Sequence, residues 1–252
     1  MMAGKAEPII TVEHFTAAYG DKTIIDDISF TVARGEIFVI LGGSGSGKST
    51  LLKHMIGLYA PKAGKILIEG DDIAAADGKR RLDILKRFGV MYQSGALFGS
   101  MTLLENVRLP LEEFTALPDE AMDLTARMKL DLVGLASAAG KLPSELSGGM
   151  QKRGAIARAM ALDPRILFLD EPSAGLDPIT SAEVDQLILK LSKNLGVTFV
   201  VVTHELPSIF AIADTVIMLD GTTKKIAAQG RPQDLRDHCD NPWVRRFFNR
   251  EA

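Results

Sequence analysis

Short apolar runs separated by turn residues dominate the first quarter of the chain. Three such runs lie at 9–12, 28–32 and 37–41, and a fourth lies at 64–68. Runs of this length, rich in β-branched residues and bounded by glycine and aspartate, predict β-strands. Residues 50–56 instead predict a helix that begins shortly after the third run.

The middle of the chain, about 92–162, has a different pattern. It contains few β-branched runs and indicates helices, for example over 119–133. Apolar runs that predict strands return afterwards, at 166–169, 198–202 and 216–219.

A helix is predicted between the first two of these later strands. Its apolar side chains follow the spacing i, i+3, i+4, i+7, which places them on one helical face: Val184, Leu187, Ile188 and Leu191. Strands that alternate with helices predict an α/β fold whose mostly parallel sheet is covered on both faces. The helical middle is then an insertion into that fold.

Composition narrows the class of protein. The 252 residues carry a net charge of -3 and are 46% hydrophobic and 24% charged, which is typical of a soluble globular protein. No basic excess points to nucleic acid, so we expect no nucleic-acid partner. Cys239 is the only cysteine, which excludes an intrachain disulfide and fits a reducing compartment.

Membrane and export signals are also missing from the pattern. Residues 1–8 have no apolar core of a signal peptide, and no apolar run approaches the ~20 residues of a membrane helix. If the protein acts at a membrane, we expect another chain to supply the membrane-spanning part.

The clearest chemical signal follows the strand predicted at 37–41. Residues 42–49 match the phosphate-binding pattern G-x-x-x-x-G-K-S/T, between a strand and a helix as the pattern requires. Backbone N–H groups and the helix N-terminus would bind phosphate, while Lys48 reaches the outer phosphates and the Ser49 hydroxyl ligates magnesium. The alternative is a plain glycine-rich turn. The candidate nucleotide-binding residues are Gly42, Gly43, Ser44, Gly45, Ser46, Gly47, Lys48, Ser49 and Thr50.

Two acids end the strand predicted at 166–169. Ligands of α/β sheets lie at the carboxyl ends of strands, where Asp170 and Glu171 stand. Asp170 would hold magnesium, directly or through water, and Glu171 would orient and deprotonate the attacking water. Such a pair alone is more often a solvated strand end, but beside a phosphate loop it forms a Walker B motif.

A second candidate anion site begins another helix. Ser147 is a good N-cap residue, and Gly148 and Gly149 leave backbone N–H groups exposed. By itself this is compatible with an ordinary capped helix. Its separation from the first loop suggests that it contacts a different nucleotide.

With these motifs in this order, the chain resembles the ATP-binding subunit of an ABC transporter over nearly all of residues 9–235. The resemblance implies a P-loop NTPase core with a mostly parallel sheet, an N-terminal antiparallel β subdomain and an inserted helical subdomain. It implies one ABC ATPase domain at 8–235, with the insertion at about 92–162, and a C-terminal extension at 236–252.

The resemblance also assigns roles to single residues. Tyr19 stands where the family stacks an aromatic ring on adenine, and Gln93 is the glutamine between core and helical subdomain, which contacts the metal and the attacking water. Asp177 matches the D-loop and His204 the switch histidine. One departure is Met150, which stands where the family signature has glutamine in its fifth position.

The family arrangement implies a head-to-tail homodimer with two ATP molecules and Mg²⁺. Each nucleotide would lie between residues 42–50 of one subunit and 147–149 of the other. Lys48, magnesium and the opposing helix terminus would neutralise charge, while Glu171, Gln93 and His204 align the nucleophile.

Three segments are similar to the ATPases of Mce/Mla-type phospholipid transport systems, namely 92–111, 146–153 and 240–249. The similarity implies a partner permease in the inner membrane, with this chain on its cytoplasmic face, together with a periplasmic Mce lipid-binding subunit and a small cytoplasmic accessory domain. The alternatives are the ATPase of an importer for amino acids or other small solutes and an ABC ATPase without a transport role.

Two further segments each have two interpretations. Residues 93–107 form either a permease-facing groove or the core of the insertion. Pro242 can begin a short helix. Its docking face is predicted to contain Trp243 and Phe247, which are spaced i, i+4, with Val244 and Phe248 alongside. That helix docks either on its own subunit or on the neighbouring ATPase.

Overall fold

A computed structural model describes residues 7–251, so most of the expectation about residues 1–8 lies outside the described part. The strands are β1 Pro8–Tyr19, β2 Lys22–Ala33, β3 Ile37–Gly42, β4 Ala63–Ile68, β5 Asp71–Asp72, β6 Phe88–Met91, β7 Ile166–Asp170, β8 Thr198–Val202, β9 Thr215–Leu219 and β10 Ile226–Gly230. The helices are α1 Lys48–Met55, α2 Gly78–Leu85, α3 Leu103–Phe114, α4 Asp119–Leu132, α5 Gly148–Ala159, α6 Pro178–Leu195, α7 Leu206–Ile212, α8 Pro232–His238 and α9 Pro242–Asn249.

The strands form two sheets. The first is an antiparallel sheet of order β2-β1-β4-β5, in which Val12 lies opposite both Phe30 and Ile66. The second has the order β10-β9-β3-β8-β7-β6, and only its edge strand β10 is antiparallel to its neighbour. The predicted fold class, with an N-terminal antiparallel subdomain and a mostly parallel core sheet, is confirmed.

The parallel sheet separates two hydrophobic cores. Side chains alternate along a strand, and all six residues of β3 are buried. Ile37, Val39 and Leu41 pack with the helical part of the molecule, whereas Phe38 and Ile40 pack with α1 and the antiparallel sheet. Burial on both faces explains why the central strands read as continuous apolar runs.

The helical subdomain lies between β6 and β7 in the chain, as predicted, and consists mainly of α3, α4 and α5. Helix α3 begins with a capping box in which the Thr102 hydroxyl and the Glu105 carboxylate bond each other's backbone N–H groups. Within residues 93–107 both interpretations find support: Leu103 and Val107 are fully buried, whereas Phe98 remains 51% exposed.

Helix α9 forms at the predicted place but with a rotated docking face. Val244 and Phe248 are buried, and Phe248 meets Phe210 of α7 edge to face with ring centroids 5.8 Å apart. Trp243, predicted on the docking face, stays 37% exposed. These contacts attach one face of the helix to its own chain, and the choice between own-subunit and neighbouring-subunit docking of the rest stays a prediction. The predicted domain boundary after residue 235 falls inside α8 and stays a prediction.

Candidate functional site

The phosphate loop joins β3 to α1 in a conformation that needs glycine. Gly47 has φ +101°, and a Cβ there would lie 2.9 Å from Cγ1 of Ile25. At Gly42 a Cβ would lie 2.6 Å from the carbonyl oxygen of Leu219. Gly43 and Gly45 have open space instead, so the loop presents an open concave backbone, which fits a phosphate chain.

Lys48 begins α1 and turns back over this loop. Its ammonium donates to the carbonyl oxygens of Gly42 at 2.8 Å and Gly43 at 3.1 Å. Burial lowers the pKa of Lys48, and the nearby carboxylates of Glu171 and Asp170 oppose that shift. The ammonium therefore bonds the phosphate loop and lies near the two acids, and its predicted contact with the outer phosphates stays a prediction.

Glu171 and His204, both predicted as catalytic from the sequence, are in direct contact. Oε1 of Glu171 shares a 2.8 Å hydrogen bond with Nδ1 of His204, which follows β8. The other oxygen, Oε2, is buried and has no hydrogen-bonding partner among residues 7–251. No other described residue therefore competes for this oxygen. Glu171 has φ +49°, a left-handed conformation that is unusual for a residue with a side chain.

Asp170 lies at the end of β7 and lines a cleft of about 590 Å³ together with Gln93. Burial, and next the charge of Glu171, raise the pKa of Asp170 above its ordinary range. The Asp170 carboxylate, the Gln93 amide oxygen and the Ser49 hydroxyl are each hard oxygen donors, the type that Mg²⁺ prefers. The residues present therefore fit magnesium, although no cluster of three or more His, Cys, Asp or Glu occurs among the described residues.

The predicted second anion site stands at the start of α5. Ser147 is its N-cap, and the Ser147 hydroxyl accepts a hydrogen bond from the backbone N–H of Met150 at 3.3 Å. A Cβ on Gly149 would lie 2.3 Å from Cγ2 of Thr180, so the helix start packs closely against α6. The first turn contains no acidic residue, which suits an anion.

Two predicted residues lie at the edge of this arrangement. Tyr19 is 48% exposed at the end of β1, and its ring meets Tyr59 edge to face at 6.1 Å. Asp177 is the N-cap of α6, where its carboxylate accepts from the backbone N–H groups of Ile179 and Thr180. In this chain alone, Asp177 thus stabilises a helix start.

Two cations near the site were not assigned roles from the sequence. Lys152 and Arg158 lie on α5, and their side chains bond backbone carbonyls of the segment 93–96. Lys152 is buried beside Gly154 and Ala155 on the same helix, where burial of a lysine is uncommon. A charged residue within a run of small buried residues is the signal that would have identified it.

A phosphate loop, a strand-end acid pair with a histidine, and a Ser-Gly-Gly helix start on one α/β scaffold define a nucleotide-hydrolysing P-loop cassette. The ABC transporter family profile matches residues 25–174, more than half of the chain. The chain belongs to the ABC transporter family, as an ATP-binding subunit with ATPase activity, and the predicted family is confirmed.

Known proteins of this family cover nearly the whole chain. The intermembrane phospholipid transport system ATP-binding protein MlaF of Escherichia coli K12 is 46% identical over 230 residues, 91% of this chain and 84% of MlaF. The probable ribonucleotide transport ATP-binding protein mkl of Mycobacterium tuberculosis H37Rv is 40% identical over 240 residues, 95% of this chain and 66% of mkl.

A solved structure shows the same fold. The dimeric post-hydrolysis state of the ATP-binding cassette MJ0796, bound to ADP and Pi, matches with a TM-score of 0.79 and 31% identity, over 88% of this chain and 98% of that one. In the part of this chain that the structure describes, no helix combines the length and apolarity needed to cross a membrane.

Proposed function

We propose that this chain hydrolyses ATP to drive phospholipid movement between the inner and outer membranes through a partner permease. The observation that carries the proposal is the 46% identity to a phospholipid transport ATP-binding protein over 91% of the chain. The 2.8 Å bond between Glu171 and His204 supports the hydrolytic part.

We propose a homodimer in which Ser147, Gly148 and Gly149 of one subunit complete the phosphate loop of the other, with Tyr19 stacked on adenine and Asp177 close to the subunit boundary. A dimeric solved relative supports this arrangement. The further partners are an integral-membrane permease, a periplasmic Mce lipid-binding subunit and a small cytoplasmic accessory domain, so the chain would lie peripherally on the cytoplasmic face of the inner membrane.

Each residue of the site has a defined task in hydrolysis. Lys48 and the N–H groups of the phosphate loop bind the outer phosphates and offset their charge. Oε2 of Glu171 accepts the proton of the attacking water, and His204 holds that carboxylate through Oε1. Magnesium, held by Asp170, Ser49 and Gln93, would add positive charge at the phosphate oxygens.

The exposed part of the loop after Gln93 is the proposed permease contact. Phe98 is 51% exposed although it stands only five residues beyond Gln93, at the entrance to the helical subdomain. An exposed aromatic ring that follows Gln93 closely in sequence would let a membrane partner respond to the metal and water that Gln93 is proposed to contact.

A test uses the chain purified in detergent together with its permease. Glu171→Gln should retain ATP binding and lose about 10²–10⁴-fold in turnover, because the general base is removed. Exposed Glu183→Gln on α6 is the matched control and should turn over normally. Mass spectrometry of the same complex should find glycerophospholipid enriched over the surrounding detergent extract.

Two results would contradict the proposal. Normal turnover of Glu171→Gln would remove Glu171 as the base. Enrichment of ribonucleotide without phospholipid would instead favour the cargo named for the mycobacterial relative.

A further inference from the structure

Lys152 connects three parts of the proposed active site. It lies on α5, one turn beyond the Ser147-Gly148-Gly149 start, and its side chain is 8% exposed. Its ammonium donates to the backbone carbonyl oxygen of Gln93 and, at 3.2 Å, to that of Glu171. One buried cation thus joins the signature helix to the backbone of the proposed base and of the proposed metal-contacting glutamine.

The backbone at Glu171 needs this kind of support. Its φ of +49° is unfavourable for a residue with a Cβ. Its N–H donates to the Val202 carbonyl at 2.8 Å, which secures one side of the peptide. Its carbonyl oxygen accepts from Lys152 and from the Ala174 N–H at 3.2 Å, so Lys152 is one of two groups that secure the other side.

Charge around Lys152 favours its buried position. Burial lowers the pKa of Lys152, while the carboxylates of Glu171, Asp170 and Glu205 act in the opposite direction. A cation surrounded by backbone carbonyls and nearby acids is satisfied without using any side-chain atom of Gln93 or Glu171. Those side chains stay available for water and metal.

Arg158 provides an internal comparison. It lies on the same helix, and its guanidinium donates to the carbonyl oxygens of Gly95 at 3.0 Å and Ala96 at 2.7 Å. It therefore contacts the loop that begins at Gln93 but makes no hydrogen bond to Glu171. Lys152 and Arg158 both hold this loop to α5, and only Lys152 also holds the base.

We propose that Lys152 is a positioning residue that fixes the backbones of Glu171 and Gln93 relative to the signature helix. Displacement of α5 would then move the base and the glutamine together. The proposal rests on the proposed roles of these two residues. It adds a form of regulation: whether the start of α5 has bound an anion would set the positions of Glu171 and Gln93 in the same subunit.

The first experiment compares substitutions at Lys152 in the full chain. Lys152→Met removes the donors at similar length, and kcat should fall by about 10- to 100-fold because small misplacement of a catalytic group costs that much. KM for ATP, nucleotide Kd and Tm should stay near wild type. Lys152→Arg, which keeps the charge and can donate to both carbonyl oxygens, should restore most of kcat.

Two variants serve as comparisons. Exposed Lys193→Met on α6 should leave every parameter unchanged. Arg158→Met should lower kcat less than Lys152→Met, since it loosens the loop without releasing Glu171. If Lys152→Met does not fold, Lys152→Gln, which keeps one amide donor group, takes its place.

The second experiment is a double-mutant cycle with Glu171→Gln, measured by single-turnover hydrolysis. If Lys152 acts through Glu171, adding Lys152→Met to Glu171→Gln should cost less than about threefold, because groups that act as a unit are non-additive. Fully multiplied losses, an unchanged kcat at Lys152, or a loss that merely follows Tm would overturn the proposal. Normal turnover of Glu171→Gln alone would instead identify a failure of the proposed site.

Discussion

Helices α1 and α5 both begin with glycine-rich turns, yet they begin in different ways. At α1 the N-cap is Gly47 with φ +101°, and no side chain caps the helix. At α5 the N-cap is Ser147 in an extended conformation, and its hydroxyl bonds the N–H of Met150. The first start depends on backbone shape, while the second depends on a side chain.

The groups around the two starts differ as well. The start of α1 has Lys48 folded over its loop and the acids Asp170 and Glu171 close enough to shift the pKa of that lysine. The start of α5 has open N–H groups and a hydroxyl but no acid in its first turn. The α5 start therefore has the groups for the proposed anion contact but no acid of its own first turn to activate water, as the proposed shared site requires.

The largest expected effect comes from disabling the phosphate loop and the α5 start in separate variants. Lys48→Ala removes a charge-assisted bond to phosphate and should weaken ATP binding about 10- to 100-fold, equivalent to ~1.5–3 kcal/mol. Ser147→Arg should leave ATP binding intact and block closure by adding bulk. Each variant alone should be inactive, measured as steady-state ATP turnover.

Mixing the two inactive variants then tests whether the site is shared. In a head-to-tail heterodimer one site combines both lesions and the other has neither, so roughly a quarter of wild-type turnover should return at equal mixing. The control replaces Ser147→Arg by the double variant Lys48→Ala/Ser147→Arg and leaves no intact site. Equal turnover in the two mixtures would contradict the shared geometry.

A moderate effect is expected when a glycine at either helix start is replaced by alanine. Gly149→Ala places a Cβ 2.3 Å from Cγ2 of Thr180 and should destabilise the fold by about 1–3 kcal/mol in urea unfolding. Thr180→Ser removes that methyl group and keeps the hydroxyl that bonds Asp177, so the double variant should recover most of the loss.

The same test at α1 should give a different result. Gly47→Ala meets Ile25, but its positive φ adds strain that trimming a neighbour cannot relieve. Gly47→Ala made in an Ile25→Ala background, which removes Cγ1, should therefore still be destabilised relative to Ile25→Ala alone. If trimming rescues Gly47→Ala as fully as Gly149→Ala, the distinction between backbone shape and side-chain contact is wrong.

The sequence allowed most of this comparison to be predicted, for a physical reason. Motifs such as residues 42–49 and the acid pair Asp170-Glu171 are local, and the strand before each is a continuous apolar run because both faces of the sheet are covered. Their order along the chain predicted the fold class. Their approach in space, such as the Glu171–His204 bond, followed from the parallel order of β7 and β8.

What could not be predicted depends on contacts between distant segments. The left-handed φ of Glu171 leaves no mark in local sequence, and the small residues around Lys152 mark that lysine as unusual without indicating which two carbonyls it bonds. The rotated face of α9 is similar: periodicity allowed Trp243 to face inward, but Phe210 of α7 receives Phe248 instead. In each case the receiving surface, which lies far away in sequence, determines the outcome.

The smallest expected effect isolates the hydroxyl of Ser147. Ser147→Ala should cost about 0.5–1 kcal/mol of stability, the lower part of the range for an N-cap, because the bond to Met150 is long at 3.3 Å. Ser147→Gly should cost only about a few tenths of a kcal/mol of stability, since glycine is a tolerable N-cap. Both variants lack the hydroxyl that would donate a hydrogen bond to the nucleotide phosphate bound by the partner subunit. Both should therefore lose ATP turnover to the same extent, on the order of tenfold. Equal activity loss with unequal stability loss would assign the hydroxyl to the nucleotide of the partner subunit, in contrast to α1, where no side chain caps the helix. Activity that falls in proportion to stability would leave Ser147 as a helix cap only.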